Sequence, residues 1–242
     1  MIVKCIGEVV TAFDIKKYSI RLSLRDEKNK KAYLGDDALW RKAQQTMEQI
    51  LKDNNVTYVK VPGEAAFYGP KMDFIISDSL GRQWQLSTIQ LDLNLPERFG
   101  LEYADADGKP KRPVMIHSAF LGAIERFMGV IIEHYAGAFP FWLAPEQVWV
   151  VPVSEKFIDY ARNVASQLCA EMSDIRLVVR EENESLGKKI REGQLQKIPY
   201  LLIVGDREQQ ASTVSVRSRE KGDKGAMPLQ QFAEEIRTEL KR

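Results

Sequence analysis

A change of sequence pattern near the middle of the chain constrains its fold most. After the connector GAFPFWLAP, residues 137–145, apolar runs typical of strands alternate with amphipathic stretches typical of helices. Such alternation with short loops is typical of a three-layer α/β unit, in which helices cover both faces of a sheet. Before the connector, KMDFIISD and RQWQLSTIQLDL flank the turn-like SLG and predict a hairpin. We therefore expect an α/β protein of two domains, an antiparallel α+β unit over residues 1–144 and an α/β unit over residues 145–242.

Hydrophobic periodicity predicts the individual elements of both domains. For the first domain they are helix 4–13, strand 18–24, the hairpin, a polar loop over 104–113, and a strand that leads into helix 123–134. For the second domain they are strand 147–153, helix 155–170, strand 174–180, helix 185–196, strands 199–204 and 213–217, and helix 228–240. Ser154 is expected to cap helix 155–170, and Pro228 suits the first turn of helix 228–240.

One more helix is expected in the first domain, with Asp36 or Asp37 as its N-cap. Its apolar side chains recur at helical spacing. They are Trp40, Ala43, Met47, Ile50 and Leu51.

The charge, cysteine content and hydropathy of the chain argue against a globally basic nucleic-acid-binding protein, a disulfide-rich protein and a membrane-spanning protein. The net charge is +1 over 242 residues, so any contact with nucleic acid has to come from local patches. Two cysteines, Cys5 and Cys169, provide no disulfide framework and fit a reducing compartment. No stretch reaches the roughly 18 uncharged apolar residues of a membrane span. We therefore expect a cytoplasmic protein without a membrane partner.

The segment GEAAFYGPK, residues 63–71, is a candidate anion site. Gly69 and Pro70 force a turn, and this turn orients Tyr68 and Lys71. A lysine held beside a phenol in this way is suited to a phosphate or a carboxylate. The alternative is an ordinary hairpin turn whose lysine is solvated.

The strand RQWQLSTIQLDL, residues 82–93, combines amides and hydroxyls with large apolar side chains. A buried amide without a partner costs about 1–3 kcal/mol, so such a cluster indicates a ligand surface. Thr88 and Gln90 share a face by alternation, whereas Gln85 should point to the other one. Gln85 and Gln90 therefore reach one pocket only if a bulge or a twist intervenes. The alternative is that these glutamines lie on a solvated face.

The segment PVMIHSAFLGAIERF, residues 113–127, places polar side chains where an apolar strand meets a helix. His117 ends the strand, and Arg126 lies in the first turns of the helix. A guanidinium there is suited to stacking on a base or to binding a phosphate through two hydrogen bonds. His117 fits either a metal ligand or a satisfied core histidine, and no Cys or His pair at metal-ligand spacing accompanies it.

The second domain is neutral overall but has local basic clusters. Residues 146–242 contain 16 Lys and Arg against 16 Asp and Glu. The positive residues group in two places, Lys188, Lys189, Arg191 and Lys197 in one, and Arg217, Arg219, Lys221 and Lys224 in the other. A local basic face of this kind suits RNA, and Asn183 and Glu208 are able to read base edges. Two solvated charge runs are the alternative.

Taken together, these stretches resemble the threonyl-tRNA synthetase family of class II aminoacyl-tRNA synthetases. GEAAFYGPKMDF, DSLGRQWQLSTIQLDLNLPERFGLEY and RPVMIHSAFLGAIERFMGVIIEHYAGAFPFWLAP resemble the later part of its catalytic domain, including the third signature motif. KKIREGQLQKIPYLLIVGDREQQASTVSVRSR resembles its anticodon-binding domain. The resemblance implies a partial antiparallel class II sheet followed by a three-layer anticodon-binding domain with a mixed sheet. It also implies ATP-dependent activation of threonine and its transfer to threonine tRNA in the complete enzyme.

The resemblance assigns roles to residues by their position in these motifs. The catalytic residues it implies are Lys71, Gln85 and Arg126, of which Arg126 packs on ATP, and the substrate-binding residues are Tyr68, Thr88 and Gln90. His117 matches one of three ligands to a zinc ion that separates threonine from valine. The anticodon-binding positions are Asn183, Arg191, Lys197, Glu208 and Arg217. Lys197 stands where the family can carry arginine, so bidentate geometry is lost there.

The sequence also departs from the family pattern. In the third motif Ser118 replaces an arginine and Ala123 a serine, and QLSTIQ, with Leu86 and Ser87, stands where the family has QCGTIQ. The first two signature motifs, and the Cys and His that complete the zinc site, are not in these 242 residues. The resemblance implies ATP with Mg²⁺, Zn²⁺ and a homodimer for the complete enzyme.

These departures lead to two expectations and two alternatives. We expect this chain alone to make no threonyl-adenylate and to bind zinc poorly, because one histidine does not make a tetrahedral site. One alternative is a free-standing, non-catalytic synthetase paralogue that binds tRNA or regulates translation, which Ser118 and Ala123 favour. The other is a relative in fold alone that binds another nucleotide.

Overall fold

The computed structural model describes residues 1–15 and 18–240. The chain forms two compact units, Met1–His134 and Tyr135–Arg242, and each has its own five-stranded sheet. Within the described ranges, no helix is both long and apolar enough to cross a membrane.

The first unit combines an extended sheet with three main helices. Its elements are α1 (Ile2–Ala12), β1 (Tyr18–Leu24), α2 (Asp37–Asp53), β2 (Tyr58–Pro62), β3 (Lys71–Ser77), β4 (Gln83–Asp92), α3 (Leu95–Arg98), β5 (Tyr103–Ala104), β6 (Pro110–Lys111), β7 (Met115–Ala119) and α4 (Ile124–His134). The strand order is β2-β1-β3-β4-β7, with β1 and β2 parallel and the other neighbours antiparallel. The predicted strand 18–24 and the β3–β4 hairpin are confirmed. The predicted loop 104–113 instead contains parts of a short β5–β6 hairpin, which Gly108 permits with a φ of 75°.

Helix α2 begins and packs much as its sequence predicts. The Asp36 carboxylate accepts hydrogen bonds from the amides of Ala38 and Leu39, which satisfies two of the unpaired donors at the helix start. Of the predicted apolar side, four residues are buried, namely Trp40, Ala43, Met47 and Leu51. Ile50 is exposed, because it lies next to Leu51 on the helix and turns toward solvent.

Alternation within the strands separates an apolar face from a polar one. In β3, Met72, Phe74 and Ile76 are buried on one side of the sheet. Lys71 and Asp73 alternate with them and therefore point to the other side. This second face carries the candidate site.

The second unit is a mixed sheet with helices on both faces, as predicted. Its elements are β8 (Val148–Pro152), α5 (Ile158–Glu171), β9 (Leu177–Val179), α6 (Leu186–Leu195), β10 (Tyr200–Val204), α7 (Asp206–Ala211), β11 (Thr213–Ser218), β12 (Gly222–Pro228) and α8 (Leu229–Leu240). The order is β12-β11-β10-β8-β9, and β8 runs parallel to β9 and β10. β11 is antiparallel to both of its neighbours.

Successive residues of β8 belong to two separate apolar clusters, one on each face of the sheet. Val150 packs with Leu168 of α5 and Phe232 of α8. Trp149 belongs to the other cluster, against which Ile190 of α6 packs. These clusters are the two interfaces of a three-layer α/β unit.

Some boundaries of the second unit differ from those that the sequence predicts. Ser154 makes no capping hydrogen bond through its side chain, because a 3₁₀ turn over Glu155–Phe157 lies between it and α5. Pro228 ends β12, and α8 begins at the next residue. Helix α7 and strand β12 are not predicted: α7 is six residues long, and in β12 only Met227 is buried.

The β3–β4 hairpin should lose stability in acid through Asp78. Burial raises the pKa of this carboxyl, but hydrogen bonds from Trp84 Nε1, the Arg82 guanidinium and two backbone amides lower the pKa to about 2. A carboxyl with a depressed pKa stabilises the fold above its unfolded pKa near 3.8, and this contribution is lost as the pH falls through about 2. We expect Asp78→Asn to lower the urea midpoint at pH 7, with the difference from wild type shrinking between pH 4 and pH 2.

The matched control is Asp107→Asn, in an exposed turn where the carboxylate accepts a bond from the amide of Lys109. This variant should follow the wild-type curve throughout. A constant difference between Asp78→Asn and wild type from pH 7 to pH 2 would contradict the assignment.

Candidate functional site

A β-bulge brings the separated polar residues of β4 to one face. The register pairs Asp73 with Thr88 and Ile75 with Gln85, and it shifts between Asp73 and Ile75. As a result Gln85 Nε2 and Thr88 Oγ1 both donate to Asp73 Oδ1, at 2.7 and 3.0 Å. The bulge is the feature that the parity of the sequence requires if Gln85 is to share a pocket with Gln90.

Asp73 is the centre of this face. Its other oxygen, Oδ2, accepts from Ser23 Oγ at 2.8 Å and lies 3.0 Å from Lys71 Nζ. The Asp73 side chain is only 5% exposed, so these four donors replace water around its oxygens. We call Ser23, Lys71, Asp73, Gln85 and Thr88 the Asp73 cluster. Of its members, sequence reasoning misses Ser23 and Asp73, although an aspartate inside the apolar run KMDFIIS is a visible signal.

The Arg126 side chain contacts the Asp73 cluster through the backbone carbonyl of Gln85. Its Nη1 donates to the carbonyl oxygen of Gln85 at 2.9 Å, although the two residues are 41 positions apart. Gly122 allows this approach: its φ is 66°, and a Cβ there would lie 2.2 Å from the carbonyl oxygen of Leu86. The start of α4 is therefore held against β4.

Tyr68 is held at the end of the same face by a second glycine. Its hydroxyl donates to Gln90 Oε1, and burial, together with the charge of Asp92, raises the pKa of the phenol. A Cβ on Gly69 would lie 1.7 Å from the carbonyl oxygen of Leu91, so the turn 68–71 packs directly on β4. The predicted pair Tyr68 and Lys71 is thus fixed relative to the β4 residues.

His117 lies beside these groups and pairs with a buried carboxylate. It is opposite Gln90 in the β4–β7 register, and its Nε2 is 3.0 Å from Asp92 Oδ2. The other oxygen of Asp92 accepts from the amides of Asn94 and Leu95. Throughout residues 1–15 and 18–240, no three His, Cys, Asp or Glu side chains are placed to hold a metal ion.

The predicted RNA-binding residues of the second unit differ in their surroundings. Asn183 and Arg191 are exposed. Glu208 is engaged: it accepts from the Gly205 amide and from Ser215 Oγ, both at 2.9 Å. Lys197 has a φ of 58° and donates through Nζ to the Ala136 carbonyl.

Arg217 lines a cavity of the second unit. The cavity is about 340 Å³ and is also lined by Gln194, Arg219 and Asp223. The other four predicted residues, all within the described ranges, lie outside its lining. The structure therefore does not gather the five residues into one pocket, and a ligand that contacts all of them has to extend over the surface.

Alanine at Gly122 should destabilise the first unit. A left-handed backbone and a clash with the Leu86 carbonyl together cost about 3 kcal/mol of unfolding free energy. Gly129 in α4 is the matched control, because nothing lies within 4 Å of the position that a Cβ would take there and its φ is ordinary. We expect Gly129→Ala to raise the unfolding free energy by about 0.5–1 kcal/mol in the same urea titration. Equal effects of the two substitutions would contradict the close approach of this loop to β4.

Comparison with known proteins places both units in described families. Residues 2–135 match the family model of the tRNA synthetase class II core domain (G, H, P, S and T). Residues 147–239 match the model of the anticodon binding domain.

The curated relatives are longer than this chain. The threonine--tRNA ligase of Porphyromonas gingivalis (strain ATCC 33277) is 49% identical over 232 residues, which are 96% of this chain and 35% of that protein. The threonine--tRNA ligase of Thermus thermophilus is 49% identical over 94% of this chain and 34% of that protein. The chain thus spans about a third of the length of the curated relatives it matches.

A solved structure agrees with these matches. The crystal structure of the RNA binding domain of threonyl-tRNA synthetase from Cryptosporidium parvum Iowa II superposes with a TM-score of 0.87 at 33% identity. The match covers 98% of this chain and 58% of that one. With its core-domain match over more than half of its residues, this chain belongs to the class II tRNA synthetase core family (G, H, P, S and T), and it also carries an anticodon binding domain.

Proposed function

We propose that this chain is part of a threonine–tRNA ligase, which activates threonine with ATP and transfers it to threonine tRNA. Residues 1–144 would be the later part of the catalytic domain, and residues 145–242 the anticodon-binding domain. The observation that carries this proposal is the 49% identity to a threonine--tRNA ligase over 96% of the chain, which includes both candidate sites. For the complete ligase we propose a cytoplasmic homodimer, on the family resemblance alone.

In the first unit, the Asp73 cluster and its neighbours would form one wall of the site for ATP and threonine. Arg126 would lay its guanidinium on the nucleotide, with Nη1 held by the Gln85 carbonyl. Lys71 and Gln85 would orient anionic and polar groups of the adenylate, and ATP would enter with Mg²⁺. Tyr68, Thr88 and Gln90 would contact threonine. The convergence of Lys71, Gln85 and Thr88 on Asp73, with Tyr68 bonded to Gln90, supports the proposal.

In the second unit, Asn183, Arg191, Lys197, Glu208 and Arg217 would contact the anticodon. Two of them, Asn183 and Arg191, are exposed, and Arg217 opens into the 340 Å³ cavity. Single-stranded bases are commonly bound in this way, by side chains that reach their edges and by pockets that receive them.

The proposed specificity is tested by RNA binding. The chain should bind a threonine tRNA transcript at least about tenfold more tightly than the same transcript with its anticodon replaced, in gel-shift titrations at one fixed salt concentration. Equal affinities would contradict the proposal, because only backbone contacts would then contribute.

Zinc should not bind stoichiometrically to this chain. His117 pairs with the Asp92 carboxylate, and no third metal-ligating side chain joins them among the described residues, whereas a zinc site needs three or four protein ligands. The residues in hand therefore do not fit a zinc ion by themselves. We expect elemental analysis of a zinc-equilibrated and desalted sample to give well below one ion per chain. One ion per chain, lost in His117→Ala, would show that the ligands have been misassigned.

A further inference from the structure

Arg180 directly follows β9 and connects two segments of the second unit. Its Nε is 3.0 Å from Glu182 Oε1, and its Nη2 donates to Glu192 Oε2 of α6 at 2.8 Å. Glu182 is in the loop between β9 and α6, so one guanidinium spans the loop and the helix. Neither carboxylate belongs to the candidate sites described above.

The Arg180 side chain is fixed in place rather than mobile on the surface. Its side chain is 11% exposed, and its guanidinium carbon lies 3.9 Å from the centroid of the Trp149 ring. The Arg180 carbonyl also accepts a 2.8 Å hydrogen bond from the buried Lys189 of α6. A planar guanidinium stacked on an indole and bonded to two carboxylates has little freedom to rearrange.

Each carboxylate that Arg180 binds adjoins a predicted anticodon-binding residue. Glu182 precedes Asn183, and Glu192 follows Arg191. The amide of Glu184 donates to the carbonyl of Glu182 at 2.8 Å, which closes a three-residue turn with Asn183 at its centre. The contacts of Arg180 and Lys189 therefore hold the Asn183 turn against the helix of Arg191, together with the Ser185 cap and the Glu184–Lys188 ion pair.

We propose that Arg180 is a positioning residue for anticodon recognition, because it fixes the Asn183 turn relative to the Arg191 helix before RNA binds. The inference rests on the proposed function, since it needs Asn183 and Arg191 to contact the anticodon. Preset spacing should favour the cognate triplet while leaving contacts to the RNA backbone unchanged.

The test compares two RNA hairpins, the anticodon stem-loop of threonine tRNA and the same stem with its anticodon replaced. Anticodon selectivity is the dissociation constant of the altered hairpin divided by that of the threonine hairpin. Arg180→Met and Glu192→Ala should each lower the ratio about tenfold, with affinity for the altered hairpin unchanged. Arg180→Lys should not restore it, because a lysine cannot bond both carboxylates through a planar fork.

Arg162→Met is the matched control. Arg162 also forms two hydrogen bonds to a glutamate of this loop, Glu181 at 2.8 and 2.7 Å, but it is exposed and lies on α5. Selectivity should stay at the wild-type value in this variant. If Arg180→Met fails to fold, the selectivity of Glu192→Ala decides between the outcomes, since this substitution removes the bond to Arg180 Nη2 at a half-exposed position.

Three outcomes are distinguishable. Loss of selectivity in both Arg180→Met and Glu192→Ala, but not in Arg162→Met, supports the inference. Wild-type selectivity in folded Arg180→Met or in Glu192→Ala overturns it and leaves the proposed function standing. If the wild-type chain itself does not distinguish the hairpins, the proposed function fails and the inference fails with it.

Discussion

Alanine at Arg217 is expected to weaken binding of threonine tRNA by about 1–3 kcal/mol, which is roughly fivefold to more than a hundredfold in the dissociation constant. Arg217 lies on β11, and its Nε is 3.6 Å from Asp223, beyond a good hydrogen bond. The guanidinium is therefore held by a loose ion pair that a bound base can replace. It faces a cavity of about 340 Å³ in which a base can be bound through two parallel hydrogen bonds.

The measurement is a gel-shift titration at fixed salt, with Arg191→Ala as a second test variant. Arg237→Ala is the control, because Arg237 of α8 makes a comparable exposed ion pair, 3.5 Å from Glu171, and has no predicted contact with RNA. We expect the control to bind like the wild type. Unchanged affinity in both Arg217→Ala and Arg191→Ala would remove the assignment of this surface.

Alanine at Asp73 is expected to lower the free energy of unfolding by about 3–5 kcal/mol. The substitution removes the shared acceptor of Ser23, Gln85 and Thr88 and leaves the largely buried Lys71 without its counter-ion. Both effects are costly, because donors and charges away from water need partners. Urea unfolding measures the change, and Asp107→Ala at an exposed turn should shift it by no more than about 0.5 kcal/mol.

A double variant separates the charge from the hydrogen bonds. Lys71→Met together with Asp73→Ala removes both charges, so it should be less destabilised than the sum of the two single variants. Full additivity would show that the 3.0 Å pair contributes nothing beyond its separate members. An Asp73→Ala variant with wild-type stability would contradict the cluster altogether.

Local sequence patterns predict the strands and helices whose burial is regular. Strand 18–24 alternates apolar and polar residues, and α2 has both an aspartate cap and an apolar stripe, so both are found where periodicity places them. Strand β12 is not predicted from the sequence, because it contains two glycines and buries only Met227. It pairs with β11 in a hairpin across residues 219–221, but no alternation of apolar and polar residues marks it as a strand.

Several residues of the candidate site are predictable from the sequence, but its centre and its geometry are not. Because side chains alternate between the two faces of a strand, Gln85 needs a bulge to share a face with Gln90. The local sequence does not indicate where that bulge lies. Asp73 is overlooked because, although Lys71 is its partner within its own strand, Ser23, Gln85 and Thr88 come from other strands. Its four donors come from β1, β3 and β4, which only the sheet topology brings together.

The same limit applies to the second unit. Asn183 and Arg191 can be proposed from sequence, but the guanidinium that connects their segments cannot be. Arg180 reads as one more charge in the run REENE until the structure shows it stacked on Trp149. The stacking of a guanidinium on an indole from another strand is a tertiary contact, so it leaves no periodic signal in the sequence.

The proposed adenylate site depends most directly on whether Lys71, Gln85 and Arg126 act on a single ligand. Calorimetric titration with a non-hydrolysable sulfamoyl analogue of threonyl-adenylate measures this. Arg112→Ala serves as the control, because Arg112 is exposed and contacts the Leu101 carbonyl and Glu102. We predict saturable one-site binding by the wild type and the control, weakened at least about tenfold in both Lys71→Met and Arg126→Ala. No saturable binding, or equal affinity in all four proteins, would contradict the proposed site.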